Sequence, residues 1–240
     1  MKKYSGVYEP LIKRLSEENP DIKTVKTKLH QVYGAYTQDN AHKKAAKLLD
    51  NYDGAATAMA LLALHASTKE RLPHYDDFYN FIFQYTGKVD SILDIGCGYN
   101  PFSLPLIPKL QKYFAYDIDT RVADLLNRFF LYEDLPPKAK CADLAVEIPK
   151  DTADLALMCK LIPVLESQAT GSGFLLARSL NVKHLLITYP LKSLGGREKG
   201  MEKNYTAAFE KAMEEGQLSS FTLVANQKVG SEILYLLTKQ

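Results

Sequence analysis

The chain has 240 residues, of which 46% are hydrophobic and 24% are charged, the ordinary mix of a globular protein with a sizeable core. No stretch reaches the roughly eighteen apolar residues of a membrane helix, and the opening MKKYSGVYEP lacks the apolar run of a secretory signal. The cysteines Cys97, Cys141 and Cys159 are far apart and odd in number, which fits neither a disulfide framework nor a zinc site. We therefore expect a cytoplasmic protein without a membrane segment or a metal.

The net charge of +2 is unevenly distributed along the chain. Residues 1–47 contain ten Lys/Arg and five Asp/Glu, whereas residues 48–90 contain three and six. Such a basic amino-terminal region can bind a polyanion, but a solvated helix face produces the same pattern. Charge alone leaves both interpretations open.

Hydrophobic periodicity divides the chain near residue 88. Before that point apolar residues recur at helical spacing, as Leu11 and Leu15 do, or Val25 and Leu29. We therefore predict a helical amino-terminal domain over residues 1–87 and a second domain over residues 88–240.

The second region alternates short apolar runs with helical segments. The predicted strands are SILDI, KYFAYD, KAKCAD, ADLALMC, KHLLITY, FTLVAN and EILYLLT. Alternating strands and helices predict an α/β fold with a parallel sheet covered on both faces. The last two strands follow each other without a long helix, so we expect them to form an antiparallel hairpin at one edge.

Three successive predicted strands end in residues suited to a nucleoside ligand. The first runs into Asp94-Ile95-Gly96-Cys97-Gly98, a turn in which the glycines let the backbone approach a ligand closely. The second ends at Asp117, placed to bind a ribose hydroxyl pair, and the third supplies Asp143, placed to accept from an adenine amino group.

Two ligands compete for this turn. A dinucleotide-binding fingerprint needs a third glycine, where this chain has Pro101. S-Adenosylmethionine carries no pyrophosphate, so a helix that opens with Asn100-Pro101 is compatible with it. The turn favours a methyl donor, with a nicotinamide-dependent oxidoreductase as the alternative.

Longer motifs make the sequence closely resemble a known enzyme family. They are KLHQVYGAY, LHASTKERL, DFYNFIF, SILDIGCGYNP, AYDID, CKLIPVLE, YPLKSLGGREKGMEKNY and EILYL. These segments resemble the aminoglycoside-resistance methyltransferases that modify guanine N7 in the decoding region of 16S ribosomal RNA. The resemblance implies a Rossmann-like class I S-adenosylmethionine-dependent methyltransferase sheet with an amino-terminal helical domain.

The resemblance also implies a donor site and a target-handling site. Arg71 would pair with the donor carboxylate, which suits a guanidinium fork. The full set of expected donor-binding residues is His65, Thr68, Arg71, Asp94, Gly96, Gly98, Asp117, Ile118, Asp143 and Leu144. The residues expected at the reacting base are Lys160, at the active-site mouth, and Arg197, Met201 and Asn204, which would share one face if they lie on a helix.

Guanine N7 is an unprotonated ring nitrogen, so its methylation needs no general base, and no catalytic dyad stands out in the sequence. N7 lies on the deep-groove edge of an RNA helix, so the helix must distort or the guanine must flip out. The expected RNA-binding residues are Lys13, Arg14, Lys23, Lys26, Lys28, Lys43, Lys44, Lys47, Lys192 and Lys199. The expected partner is 16S rRNA in the 30S subunit. A methyltransferase for another base and a non-catalytic ribosome-binding factor remain alternatives.

Overall fold

A computed structural model describes residues 4–34, 40–192 and 200–240. The α-helices are α1 (Glu9–Glu18), α2 (Ile22–Leu29), α3 (Ala41–Leu49), α4 (Ala55–Leu62), α5 (Ala66–Arg71), α6 (Tyr75–Thr86), α7 (Thr120–Tyr132), α8 (Ile162–Gln168), α9 (Ser172–Ser179) and α10 (Met201–Glu214). The strands are β1 (Ser91–Ile95), β2 (Lys112–Asp117), β3 (Ala139–Cys141), β4 (Thr152–Cys159), β5 (Asn181–Pro190), β6 (Phe221–Val229) and β7 (Glu232–Lys239).

The strands form one sheet in the order β3-β2-β1-β4-β5-β7-β6. β1 to β5 are parallel, so their carboxyl ends meet at one edge, which is where open α/β sheets bind ligands. β7 runs antiparallel to both β5 and β6, and β6 lies at the edge of the sheet. The predicted α/β sheet and its terminal antiparallel hairpin are therefore confirmed.

Helices cover both faces of the sheet because its central strands are apolar on both sides. Ile92 and Leu157 belong to a core shared with α3, α4, α6 and α7. Leu93 and Met158, their neighbours along the strands, belong to a second core shared with α8, α9 and α10. This alternation follows from the two-residue period of a strand.

The amino-terminal helices contact the rest of the chain in two different ways. α3, α4 and α6 share a core with the sheet, whereas α1 and α2 form a small separate cluster that includes Leu11, Leu15 and Leu29. That cluster packs against Ile118 and Val164, which lie beside the carboxyl ends of β2 and β4. The end of α6 at Thr86 coincides with the predicted division at residue 87, which stays a prediction.

The segment after the glycine turn is shorter and tighter than a regular helix. Pro101 lies in the first turn, as predicted, but residues Asn100–Leu106 form a 3₁₀ helix. Pro105 inside this segment cannot donate a backbone hydrogen bond and blocks α-helical continuation. Among the described residues, no helix combines the length and the apolar character that crossing a membrane requires.

Candidate active site

A pocket of about 110 Å³ opens at the carboxyl edge of the sheet. Its walls come from the turn after β1, the ends of β2, β3 and β4, helix α5, helix α1 and the segment that follows α2. Of the residues predicted to bind the donor, those that line it are His65, Thr68, Arg71, Gly96, Gly98, Asp117, Ile118, Asp143 and Leu144.

The glycine turn forms the floor of this pocket. Gly96 and Gly98 adopt φ values of +68° and +50°, in the left-handed region that favours glycine. A Cβ on Gly98 would lie 3.0 Å from His65 Cε1, so a side chain there would crowd the pocket wall. The turn is thus shaped to leave room for a ligand against its backbone.

Asp117 ties the end of β2 to the glycine turn. Its carboxylate accepts hydrogen bonds from the backbone N–H groups of Gly98 (2.8 Å) and Asp119 (3.0 Å). Burial raises the pKa of Asp117 to about 6, and these two hydrogen bonds oppose that rise. Asp119 instead caps α7 by accepting from the Arg121 N–H, so Asp117 is the carboxylate free to face a ribose.

Asp94 does not line the pocket, and its predicted contact with the donor stays a prediction. It is fully buried beneath the turn, where its Oδ2 accepts hydrogen bonds from Asn100 Nδ2 (2.8 Å) and the Tyr113 hydroxyl (2.7 Å). Asn100 does line the pocket. Asp94 therefore acts on the site by orienting Asn100, and burial raises its own pKa to about 6.

Arg71 reaches the pocket, where the sequence analysis predicted that it pairs with the donor carboxylate, and most of its guanidinium already binds other side chains. Its Nε and one terminal nitrogen donate to both carboxylate oxygens of Glu232, at 3.0 and 2.8 Å. The other terminal nitrogen donates to Asn100 Oδ1 at 2.9 Å. Glu232 thus fixes the guanidinium, and only its remaining N–H groups could bind a ligand.

Lys160 is buried in the pocket wall, although the sequence placed it at the mouth. Its φ of +56° is strained for a residue with a side chain. Its ammonium lies 2.8 Å from Glu70 Oε2 and 3.5 Å from Glu232 Oε1. Arg71 and Lys160 therefore place two buried cations at this end of the pocket, with Glu232 buried between them and Glu70 paired with Lys160 from a more exposed position.

Arg14, which the sequence analysis predicted to bind RNA, is held beside the pocket by Asp143, a residue that lines it. Its side chain is 16% exposed and donates to Asp143 Oδ2 (2.6 Å) and Oδ1 (3.1 Å). It also contacts Glu18 and Gln168. A guanidinium held by these partners is not displayed to an RNA backbone, since its donors point inward.

The remaining predicted contacts lie elsewhere on the surface. The exposed or half-buried lysines are Lys13, Lys23, Lys26, Lys28, Lys43, Lys44, Lys47 and Lys192. Met201 and Asn204 lie in the first turn of α10, and neither lines the pocket. Arg197 and Lys199 lie outside the described residues. Gly200 precedes α10 with a φ of +67°, so α10 begins at Met201.

Several pocket residues escaped the sequence analysis. Leu11 comes from the first helix, and Tyr33 and Gln168 come from later helical segments. Glu232, from the last strand, does not line the pocket but binds Arg71, which does. Glu232 carried the one usable signal, because an acidic residue opens an otherwise apolar strand.

The chemistry available in the pocket is binding and orientation. Burial raises the pKa of the Cys159 thiol to about 12 and lowers the pKa of His65 to about 4, so both are neutral near pH 7. Among the described residues, no cluster of three or more His, Cys, Asp or Glu could hold a metal ion. The glycine floor, the Asp117 carboxylate and the cationic end of the pocket fit a nucleoside that carries an amino-acid tail.

The sheet order, the glycine turn and the acidic strand ends define a class I S-adenosylmethionine-dependent methyltransferase. At the level of the fold, a S-adenosylmethionine-dependent methyltransferase from Clostridium acetobutylicum superimposes over 69% of this chain and 90% of its own, with a TM-score of 0.51 at 14% identity.

The chain belongs to the FmrO family of ribosomal RNA methyltransferases, whose sequence model matches residues 2–230. It is 33% identical to a 16S rRNA (guanine(1405)-N(7))-methyltransferase of Serratia marcescens over 99% of this chain and 94% of the relative. The crystal structure of the 16S rRNA methyltransferase RmtF in complex with S-adenosyl-L-homocysteine matches at a TM-score of 0.85 and 33% identity, covering 99% of this chain and 93% of that one.

Proposed function

We propose that this protein transfers a methyl group from S-adenosylmethionine to N7 of a guanine in 16S rRNA, at the position that corresponds to guanine 1405 of its relatives. The observation that carries the proposal is the similarity to guanine-N7 methyltransferases over 99% of the chain, combined with a pocket suited to the donor.

The donor would be held by residues from both ends of the pocket. Asp117 would bind the ribose hydroxyls and Asp143 the adenine amino group. The donor's carboxylate fits the end where Arg71 and Lys160 are buried, because these two cations could donate charge-assisted hydrogen bonds to it.

The residues present suit a reaction that depends on alignment. The bound donor supplies an electrophilic methyl group, and guanine N7 offers its lone pair without losing a proton. The reaction requires no general base, so it is compatible with a neutral His65 and protonated thiols. Holding the two reacting atoms in line can lower the barrier by roughly 7–11 kcal/mol.

Residues at the start of α10 would hold the target base. We assign this role to Met201 and Asn204, and to Arg197 in the adjoining segment, with Lys160 acting from the pocket wall. Alanine variants of Met201 and Asn204 should keep their affinity for the donor and for 30S subunits but methylate more slowly, because a loss of alignment is felt mainly in the transition state. Loss of 30S affinity in proportion to activity would mean that these residues dock the ribosome instead.

The helical region 1–87 would dock the enzyme on the folded RNA of the 30S subunit. A ribosomal substrate implies a cytoplasmic enzyme. A methyl group and a positive charge on N7 would repel a cationic aminoglycoside, so cells that express the protein should tolerate such drugs.

The decisive experiment incubates 30S subunits with the enzyme and S-adenosylmethionine, then applies borohydride and aniline and maps strand scission by primer extension. We expect one strong stop at the guanine that corresponds to 1405, and none without the donor. Methyl transfer without scission would indicate a different atom or base, and no transfer would favour a ribosome-binding factor.

A further inference from the structure

The amino-terminal segment Tyr4–Glu18 covers one end of the donor pocket. Its backbone forms two hydrogen bonds with the loop after β2. The Tyr8 N–H donates to the Ile118 carbonyl at 2.7 Å, and the Thr120 N–H donates to the Gly6 carbonyl at 2.8 Å. These hydrogen bonds attach the start of the chain to the loop that carries the proposed ribose contact, Asp117.

Side chains of α1 contribute to the pocket wall next to these hydrogen bonds. Leu11 is 1% exposed and lines the pocket together with Ile118, Leu144 and Val164, which gives this end an apolar surface suited to a purine ring. Arg14 lies behind the same end, where its guanidinium donates to both carboxylate oxygens of Asp143, and Asp143 itself lines the pocket. Helix α1 thus supplies an apolar part of the wall through Leu11 and holds a charged part of it through the contact of Arg14 with Asp143.

The Arg14–Asp143 pair leaves room for a ligand. A carboxylate offers about four lone-pair sites. Arg14 uses one site on each oxygen, and the Ala145 N–H takes a second site on Oδ1 at 3.3 Å. Among the described residues nothing else donates to Oδ2, so that oxygen can accept one further hydrogen bond while the ion pair stays intact.

We propose that Arg14 is a positioning residue of the donor site, which orients the Asp143 carboxylate toward the adenine amino group. The inference rests on the proposed function, because it assigns how that donor's base is recognised. It gives the first helix of the chain a part in donor specificity, in place of the RNA contact that its charge suggested. Arg14 acts through Asp143 and is therefore a positioning residue.

The test compares two ligands by isothermal titration: S-adenosylhomocysteine and S-inosylhomocysteine, in which an oxygen replaces the adenine amino group. Wild type should prefer the adenosyl ligand. In Arg14→Ala the affinity for S-adenosylhomocysteine should fall on the order of tenfold, the effect of losing about 1.4 kcal/mol, while the affinity for the inosyl ligand changes little.

Two further variants keep the test sharp. Lys13→Ala removes a neighbouring cation of α1 whose side chain is 75% exposed, and it should leave both affinities unchanged. Arg14→Lys keeps the charge and loses the fork, so it should show a smaller loss confined to the adenosyl ligand. The lysine variant decides the question if thermal melting shows that Arg14→Ala does not fold.

The other outcomes distinguish failure of the Arg14 assignment from failure of the proposed donor. Equal weakening of both ligands would make Arg14 only a support for α1 and overturn the assignment, as would an unchanged affinity for S-adenosylhomocysteine. If wild type itself bound no S-adenosylhomocysteine, the proposed donor would be wrong, and this inference would fall with it.

Discussion

Asp94 is a buried carboxyl group whose second oxygen, Oδ1, has no hydrogen-bond partner among the described residues. Burial raises its pKa from 3.8 to about 6, in spite of the hydrogen bonds from Asn100 and Tyr113. The folded protein therefore binds this proton more tightly than the unfolded chain. Its contribution to the free energy of unfolding falls as the pH rises from about 4 to about 6, and the full loss is present above that range.

Replacing Asp94 with Asn should remove this pH dependence, because an amide does not ionise. The free energy of unfolding of Asp94→Asn relative to wild type should be more favourable at pH 7.5 than at pH 5, by about 1–1.5 kcal/mol. Urea unfolding at the two pH values measures the difference.

Asp154→Asn is the matched control, because hydrogen bonding and the nearby Lys183 hold the pKa of Asp154 at about 2 despite some burial. Its depressed pKa confines its pH dependence to the range from about 4 down to about 2, so the stability of this variant relative to wild type should be the same at pH 5 and at pH 7.5. If Asp94→Asn shows as little change between these pH values as Asp154→Asn does, the raised pKa of Asp94 is wrong.

Glu232 is the only buried anion that Arg71 and Lys160 contact among the described residues. Glu232→Gln keeps the shape of the side chain and leaves Arg71 without its buried anion, whereas Lys160 keeps its ion pair with Glu70. Breaking a buried ion pair in this way should lower the free energy of unfolding by about 3–5 kcal/mol.

The control for this variant is Lys183→Gln, which breaks a pair with Asp154 in which the lysine is 74% exposed. An exposed pair contributes about 0–1 kcal/mol, so this variant should unfold close to wild type in urea. Similar losses in the two variants would mean that the Arg71–Glu232 pair is better hydrated than its burial indicates.

At the scale of elements, the turn between β1 and the 3₁₀ helix determines the shape of the donor pocket. Gly98→Ala adds a Cβ that must lie 3.0 Å from the His65 ring, at a φ that already disfavours it. We expect Gly98→Ala to weaken S-adenosylhomocysteine binding at least tenfold by isothermal titration, because the turn must move to relieve the contact.

Gly171→Ala separates backbone strain from obstruction of the pocket. Gly171 also has a positive φ, +83°, but a Cβ there would meet no atom within 4 Å, and the residue precedes α9 away from the pocket. It should lose stability by about 1–2 kcal/mol and keep its ligand affinity. Equal affinity losses in both variants would show that strain alone accounts for the effect.

The elements themselves could largely be predicted from the sequence, because each one is encoded locally. The run KYFAYD is β2, and the glycine turn and Asp117 lie where the spacing of motifs placed them.

Contacts between distant segments could not be predicted in this way. The pairs Arg14–Asp143 and Arg71–Glu232 join residues 129 and 161 positions apart, so no periodicity relates them. Charge favoured an RNA role for Arg14, and only the packing of α1 shows that it points inward.

At the scale of the whole molecule, the amino-terminal region is still basic when Arg14, which is paired with Asp143, is not counted. Lys26, Lys43 and Lys44 are exposed, and none of them forms an ion pair with another described residue. Uncompensated cations of this kind are what phosphate contacts require. The solvated-face interpretation and the RNA-docking proposal therefore make different predictions for binding to 30S subunits.

Replacing Lys26, Lys28, Lys43 and Lys44 together with Gln should weaken 30S binding and flatten its dependence on salt. Each phosphate contact contributes about 0.7–0.9 to the slope of the logarithm of affinity against the logarithm of salt concentration, so four lost contacts should lower the slope by about 3.

The matched control replaces four exposed lysines at the opposite edge of the sheet: Lys112, Lys138, Lys150 and Lys239. Both variants lose the same charge, so a long-range effect of net charge would change both slopes equally. Specific docking should flatten only the first, with S-adenosylhomocysteine affinity unchanged in both. An unaltered slope in the first variant would show that these lysines are solvated and that the RNA docks elsewhere.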